Sequence, residues 1–243
     1  MDANEPVGMA AAADPRLRAA LESLGIDYVC SGDRNLADAA AAEGLSVRTV
    51  QQEMDKNTVE EPPQVSLDGS LSDLVDHLTD RHHTIGNLFA HTAMLFDLLP
   101  DRKMTERESF HALRSAFQHL ATRIYFHEEH EQQVLFPLIV AMECAWTKGT
   151  VPPPPIEGGL RRSLAAVYME HDEINKALKL LRTIRTATRC QQSHSQCRTL
   201  QKKIARLERH LHEAMNLENF VLFPRAIALE DEMYVPQASG AAV

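Results

Sequence analysis

Histidine and glutamate recur in this sequence at spacings that suit a metal ion. His127 and Glu131 are four residues apart, which on a helix places them on one face about 6 Å from each other. His82, His171 and Glu218 each interrupt an otherwise apolar helical stripe. A carboxylate buried alone costs several kcal/mol or takes up a proton. Two carboxylates and three imidazoles in one apolar core therefore call for a compensating positive charge, which a metal ion supplies. Imidazole nitrogen with carboxylate oxygen suits iron, manganese or zinc. The absence of cysteine from the set argues against a structural zinc site.

The elements that must position these groups are four long helices: A over 71–99, B from a capping box at Thr105 and Glu108 to about 146, C over 160–187 and D over 196–230. Helices B and D share a motif. EQQVLFP at 131–137 and ENFVLFP at 218–224 agree at five of seven positions, an internal duplication. The inward stripe of helix B reads Phe110, Leu113, Phe117, Leu120, Ile124, His127, Glu131, Val134 and Leu138. That of helix C is Leu160, Leu164, Val167, His171, Ile174, Leu178 and Leu181; helix A centres on His82 and helix D on Glu218. Phe136-Pro137 and Phe223-Pro224 read as packing and helix-shaping residues. The expected fold is all-α, an antiparallel four-helix bundle preceded by a small helical domain.

Domain boundaries follow from composition. Residues 1–13 read as a flexible tail, 14–58 as a small helical N-terminal domain, 59–69 as a linker, 70–232 as the bundle and 233–243 as a second tail. In the small domain, Asp14-Pro15 opens a helix that Gly25 ends, and two more short helices follow, one over 36–43 and one opened by Ser46. All 12 histidines lie between His77 and His212. His77, His91, His111, His119 and His130 fall off the stripes and read as solvated. The net charge of −9, without a basic run, excludes a nucleic-acid surface. No apolar segment is long enough to span a membrane, and the N-terminus lacks the pattern of a signal peptide, so a cytoplasmic protein with reduced thiols at Cys30, Cys144, Cys190 and Cys197 is expected. Cys190, His194 and Cys197 read as a plain connection, and Cys144 near Trp146 as core.

The stretch LENFVLFPRA at 217–226 resembles the hallmark of the repair-of-iron-centres proteins, and GIDYVCSG at 25–32, followed by Leu36, resembles their small N-terminal domain. That resemblance covers nearly all of 14–230. It implies a hemerythrin-like domain holding two non-haem irons, and a role in iron–sulfur cluster repair after nitrosative or oxidative stress. Its ligand set carries over to His127, Glu131, His171 and Glu218. For helix A, counting from Asp76-His77 selects His83, whereas the apolar stripe selects His82; a side chain at 83 would point about 100° away from that stripe. Two departures stand out. The family's histidine four residues before the last glutamate is Ala214 here, and neither His210 nor His212 replaces it, so one or two irons are expected. The family's adjacent cysteines are reduced to Cys30, leaving at most a single thiol to guide or receive iron. The implied partners are damaged iron–sulfur proteins or small oxidants such as oxygen, nitric oxide and peroxide, with a homodimer possible. The alternatives are a protein that binds or senses oxygen or nitric oxide without turnover, and a degenerate, metal-poor interaction protein.

Overall fold

The structure is a computed structural model that describes residues 4–56, 66–99, 107–155, 157–188 and 195–234. It is all-helical: among the described residues the one β feature is an isolated bridge between Pro6 and Asn35.

Four short helices come first. Helix α2 (Pro15–Leu24) begins where the sequence predicts, with Asp14 accepting from the amides of Arg16 and Leu17 and Pro15 in the first turn. Gly25 ends it at φ 74°, a left-handed conformation that suits glycine. Asn35 caps α3 (Leu36–Ala42), and Ser46 opens α4 (Val47–Lys56) by accepting from the Thr49 amide. Helix α1 (Val7–Ala13) corrects the expectation of a flexible tail over 1–13. Its Val7, Ala10, Ala11 and Ala12 are buried. A run of alanines reads as featureless, yet their small side chains let a helix approach a neighbour closely.

The rest of the described chain forms four long rods. The first is α5 (Leu71–Leu98). The second is α6 (Arg107–His130), which passes through a π-helical turn over Glu131–Leu135 into α7 (Phe136–Lys148). The third is α8 (Gly159–Ala187). The fourth is α9 (Ser195–Leu217), which passes through a second π-helical turn over Glu218–Leu222 into α10 (Phe223–Tyr234). Each π turn starts at the glutamate of the duplicated motif, and its wide bond runs from the amide of Phe136 or Phe223 back to that glutamate's carbonyl. The cause lies one residue on. Pro137 and Pro224 have no N–H, and a proline ring clashes with the carbonyl four residues earlier in an α-helix. Widening the turn makes room for the ring.

That inserted residue shifts the buried face. After Glu131 the core side chains are Leu135, Phe136, Ile139 and Met142, whereas Val134 is exposed and Leu138 only partly buried. An uninterrupted period of 3.6 puts Val134 and Leu138 inside, which is the error in the expected stripe. Cys144 and Trp146 are also exposed, not core. The stripe of α8 is buried at every expected position, and in the fourth rod Ile204, Leu207, Leu211, Ala214, Glu218 and Val221 are buried.

Two carboxylates tie the rods together end to end. Glu143 of α7 accepts from the amides of Leu71 and Ser72 at 2.6 and 2.8 Å, and Glu230 of α10 accepts from the amide of Leu160 at 2.7 Å. Each satisfies donors that a helix start leaves unpaired. The end of α7 thus meets the start of α5, and the end of α10 meets the start of α8, so each pair runs in opposite directions. One hydrophobic cluster runs through the rods and the N-terminal helices alike. No helix among the described residues is long and apolar enough to cross a membrane.

Three expectations fall outside the described residues: most of the 59–69 linker, the tail beyond Tyr234, and the capping box at Thr105. Cys190 and His194 lie outside them as well, but Cys197 is disulfide-bonded, so the expectation of reduced thiols fails there.

Candidate metal centre

Five ionisable side chains meet at mid-height of the rods, and all are buried: His82 from α5, His127 and Glu131 from the second rod, His171 from α8 and Glu218 from the fourth. Donor atoms of His127, Glu131, His171 and Glu218 all lie within 4.8 Å of one another. His82 joins them from the side, with Nε2 3.2 Å from Glu218 Oε1 and 3.6 Å from Glu131 Oε2. The neighbouring His83 is exposed and lines the rim of a surface cavity of about 540 Å³ that reaches inward to His82.

Each imidazole directs Nε2 inward and anchors Nδ1 outward. His127 Nδ1 donates to Glu170 at 2.9 Å, His171 Nδ1 donates to Asn219 Oδ1 at 2.7 Å, and His82 Nδ1 accepts from the Gln132 amide at 3.2 Å. Such outer partners fix the orientation of a ligating ring and the nitrogen that carries its proton. Sequence reasoning missed Gln132, Glu170 and Asn219, yet the duplication contains the signal for two of them. Gln132 follows Glu131 as Asn219 follows Glu218, and each holds a histidine on a neighbouring rod. The equivalence continues. Phe136 stacks on His82 and Phe223 on His171, with ring centroids 5.6 and 6.3 Å apart. The capping residues Glu143 and Glu230 stand at the same distance along the chain from Glu131 and Glu218.

The arrangement fits a cation. Both oxygens of Glu131 and Oε2 of Glu218 are buried without a hydrogen-bond partner. His127 and His171 each donate outward through Nδ1, so their Nε2 lone pairs face each other across 3.0 Å. Left to themselves, the two carboxylates divide the strain. Burial, and then the charge of Glu218, push the Glu131 carboxyl well above the usual range. Burial opposes ionisation of Glu218 too, but the imidazole hydrogen bonding around it, with His82 donating to Oε1, overrides it and holds that carboxyl low. Orphaned oxygens and opposed lone pairs are what a positive ion between these groups relieves.

Several expected residues stand apart. Ala214 is buried and brings no donor. His210 is engaged with Arg81 at 2.9 Å, and His212 lies against Tyr28. Cys30 is partly buried, and burial followed by the Asp27 charge pushes its thiol up to about 12, which keeps it from acting as a thiolate at neutral pH.

Comparison with known proteins gives a consistent direction. No family model matches the chain. The iron–sulfur cluster repair protein YtfE of Escherichia coli O17:K52:H18 is 27% identical over 236 residues, spanning 93% of this chain and 98% of that protein. The protein of the same name from Escherichia fergusonii is equally similar over the same span. The chain is thus similar, at a distant level and over nearly its whole length, to proteins named for iron–sulfur cluster repair.

Proposed function

We propose that this chain is a non-haem iron protein with a hemerythrin-like bundle and that it serves the repair of damaged iron–sulfur proteins. The observation that carries the reading is the buried meeting of three imidazoles with two carboxylates, of which both Glu131 oxygens and Glu218 Oε2 lack partners. The similarity to proteins named for iron–sulfur cluster repair supports iron as the metal and repair as the task. His127, Glu131, His171 and Glu218 form the tighter position. His82 offers a second position shared with both carboxylates, and it is less prepared. Its Nε2 donates to Glu218 in this state, so ligation there requires the proton to move to Nδ1 and the Gln132 amide to turn its oxygen inward. Helix α9, which carries Ala214, packs on α5, which carries His82, so the missing histidine weakens this same position.

Iron bound there supplies a redox-active centre with open coordination for a small molecule such as oxygen, nitric oxide or peroxide. The chain's own residues set the conditions. Glu170 and Asn219 hold the imidazoles of His127 and His171, and apolar side chains from all four rods exclude bulk water. The cavity beside His82, rimmed by Glu128, Gln132 and Tyr125, gives a small molecule or an ion a path inward. In the metal-free protein burial pushes the Glu128 carboxyl at that rim up to about 7.

The test uses an iron–sulfur enzyme inactivated by nitric oxide. Iron-loaded protein is expected to restore its activity, and the Glu218→Ala variant is not. Equal recovery with both would remove repair as the role of this site. The Ala214 position favours a second reading, a metal-poor interaction protein, and that reading leads if the wild-type chain takes up no iron.

A further inference from the structure

The two halves of the site differ in what covers them. Gln132 opens on the cavity beside His82. Its counterpart Asn219 is 9% exposed and lies against the N-terminal segment at Val29. Asn219 Nδ2 donates to the Val29 carbonyl at 3.1 Å. A carbonyl only accepts, so Val29 dictates which end of the amide faces His171. The end that remains is Oδ1, an acceptor 2.7 Å from His171 Nδ1. The His171 proton must then sit on Nδ1, and Nε2 points its lone pair at the carboxylates. The state of a buried imidazole is thereby set from a residue 142 positions away in sequence.

That segment is seated by specific contacts. Asp27 accepts from the amides of Val29 and Cys30 through Oδ1, and from Asn175 and Lys179 through Oδ2. Asn216 donates to the Gly8 carbonyl at 2.9 Å. Phe220, the next residue after Asn219, lies against Gly8 and Gly32, and a Cβ at either glycine would overlap its ring. The second π turn therefore presents Glu218 to the metal site, Asn219 to both sides and Phe220 to the N-terminal segment. The corresponding positions of the first π turn, Gln132 and Gln133, line the cavity instead.

We propose that Asn219 is a positioning residue through which the seated N-terminal segment holds His171 in its metal-binding tautomer, so that metal affinity depends on whether the segment is docked. The inference rests on the metal reading of the site, but its first readout needs no metal. In full-length, metal-free protein, nitrogen-15 spectra of His171 report the Nδ1–H tautomer directly. The variants are Asn219→Leu, which removes both bonds, and Gly8→Val with Gly32→Val, which drives Phe220 and the segment apart without touching His171. Hydrogen exchange over 7–34 reports the unseating. Both variants are expected to lose the single tautomer and to weaken cobalt(II) binding, followed by absorbance, by about 10- to 100-fold. Combined, they are expected to be no weaker than Asn219→Leu alone. Asn219→Asp keeps an acceptor for Nδ1–H without the Val29 bond, so its affinity is expected to stay near wild type and to ignore the glycine changes.

An unchanged His171 tautomer in a variant whose segment exchanges freely would overturn the proposal. So would losses that multiply in the combined variant, or a segment that stays seated despite both valines. Wild-type protein that binds no cobalt would sink the metal reading alone, and the tautomer spectra would still judge this inference.

Discussion

Ala214 occupies the position in the fourth rod that His127 fills in the second, each standing four residues before a buried glutamate at the start of a π turn. Around these two residues the halves otherwise correspond: Gln132 with Asn219, Phe136 with Phe223, Glu143 with Glu230. Ala214 is where the proposed ligand set departs from that symmetry, on the helix that packs against α5, the carrier of His82. Ala214→His is expected to raise iron content towards two per chain, measured by metal analysis after anaerobic loading. Without metal the larger side chain is expected to cost about 1–3 kcal/mol, because it enters a closely packed position.

Glu131 is a liability in the metal-free protein. Its two oxygens are buried without partners. Glu131→Leu is expected to leave metal-free stability unchanged or to raise it by about 1–3 kcal/mol in urea unfolding. The same change is expected to abolish the rise in melting temperature that metal produces in the wild type. A variant less stable than the metal-free wild type would mean that the carboxyl already has a satisfied role.

The two end-to-end caps are expected to count equally. Glu143→Ala leaves the first amides of α5 unpaired, and Glu230→Ala does the same at α8. Each loss is expected to cost about 1–2 kcal/mol by denaturant unfolding, within the usual range for a lost cap. Changes within a few tenths of a kcal/mol would show that water replaces these carboxylates at no cost.

Much of this was legible in the chain, and the failures share a physical cause. The four rods follow from apolar residues repeating at three and four, and His82, His127, Glu131, His171 and Glu218 stand out because they break that repeat. The duplicated motif marked both glutamates. The π turns were not read, because their signal is a proline six residues after each glutamate, and a period of 3.6 has no place for an extra residue. Val134 was misplaced for that reason. Helix α1 was missed because alanine carries little hydrophobic signal. Glu170 gave none at all: a surface glutamate becomes the partner of His127 only once α8 lies beside α6.

A pH dependence should arise where the N-terminal helices meet the rods. Burial, opposed by the hydrogen bond from Tyr28, raises the Glu22 carboxyl from 4.5 to about 7. The folded protein then binds this proton more tightly than the unfolded chain. The stabilisation is fully present below pH 4.5 and is lost as pH rises to about 7. His212, lowered by burial to about 4, acts in the opposite direction between pH 4 and 6.5 and masks part of the slope. Comparison with Glu22→Gln isolates the carboxyl. The variant is expected to match the wild type near pH 4.5 and to exceed it by about 2–3 kcal/mol at pH 8. A stability difference that does not change with pH would show that Glu22 ionises in the folded protein as freely as in the unfolded chain.

The central claim is that the buried His–Glu cluster holds iron, and the most direct measurement is iron content by mass spectrometry after anaerobic purification from iron-supplied cells, with Glu218→Ala beside the wild type. At least one iron per wild-type chain, lost in the variant, is the predicted result. A wild-type chain without iron, or equal iron in both proteins, would contradict the account.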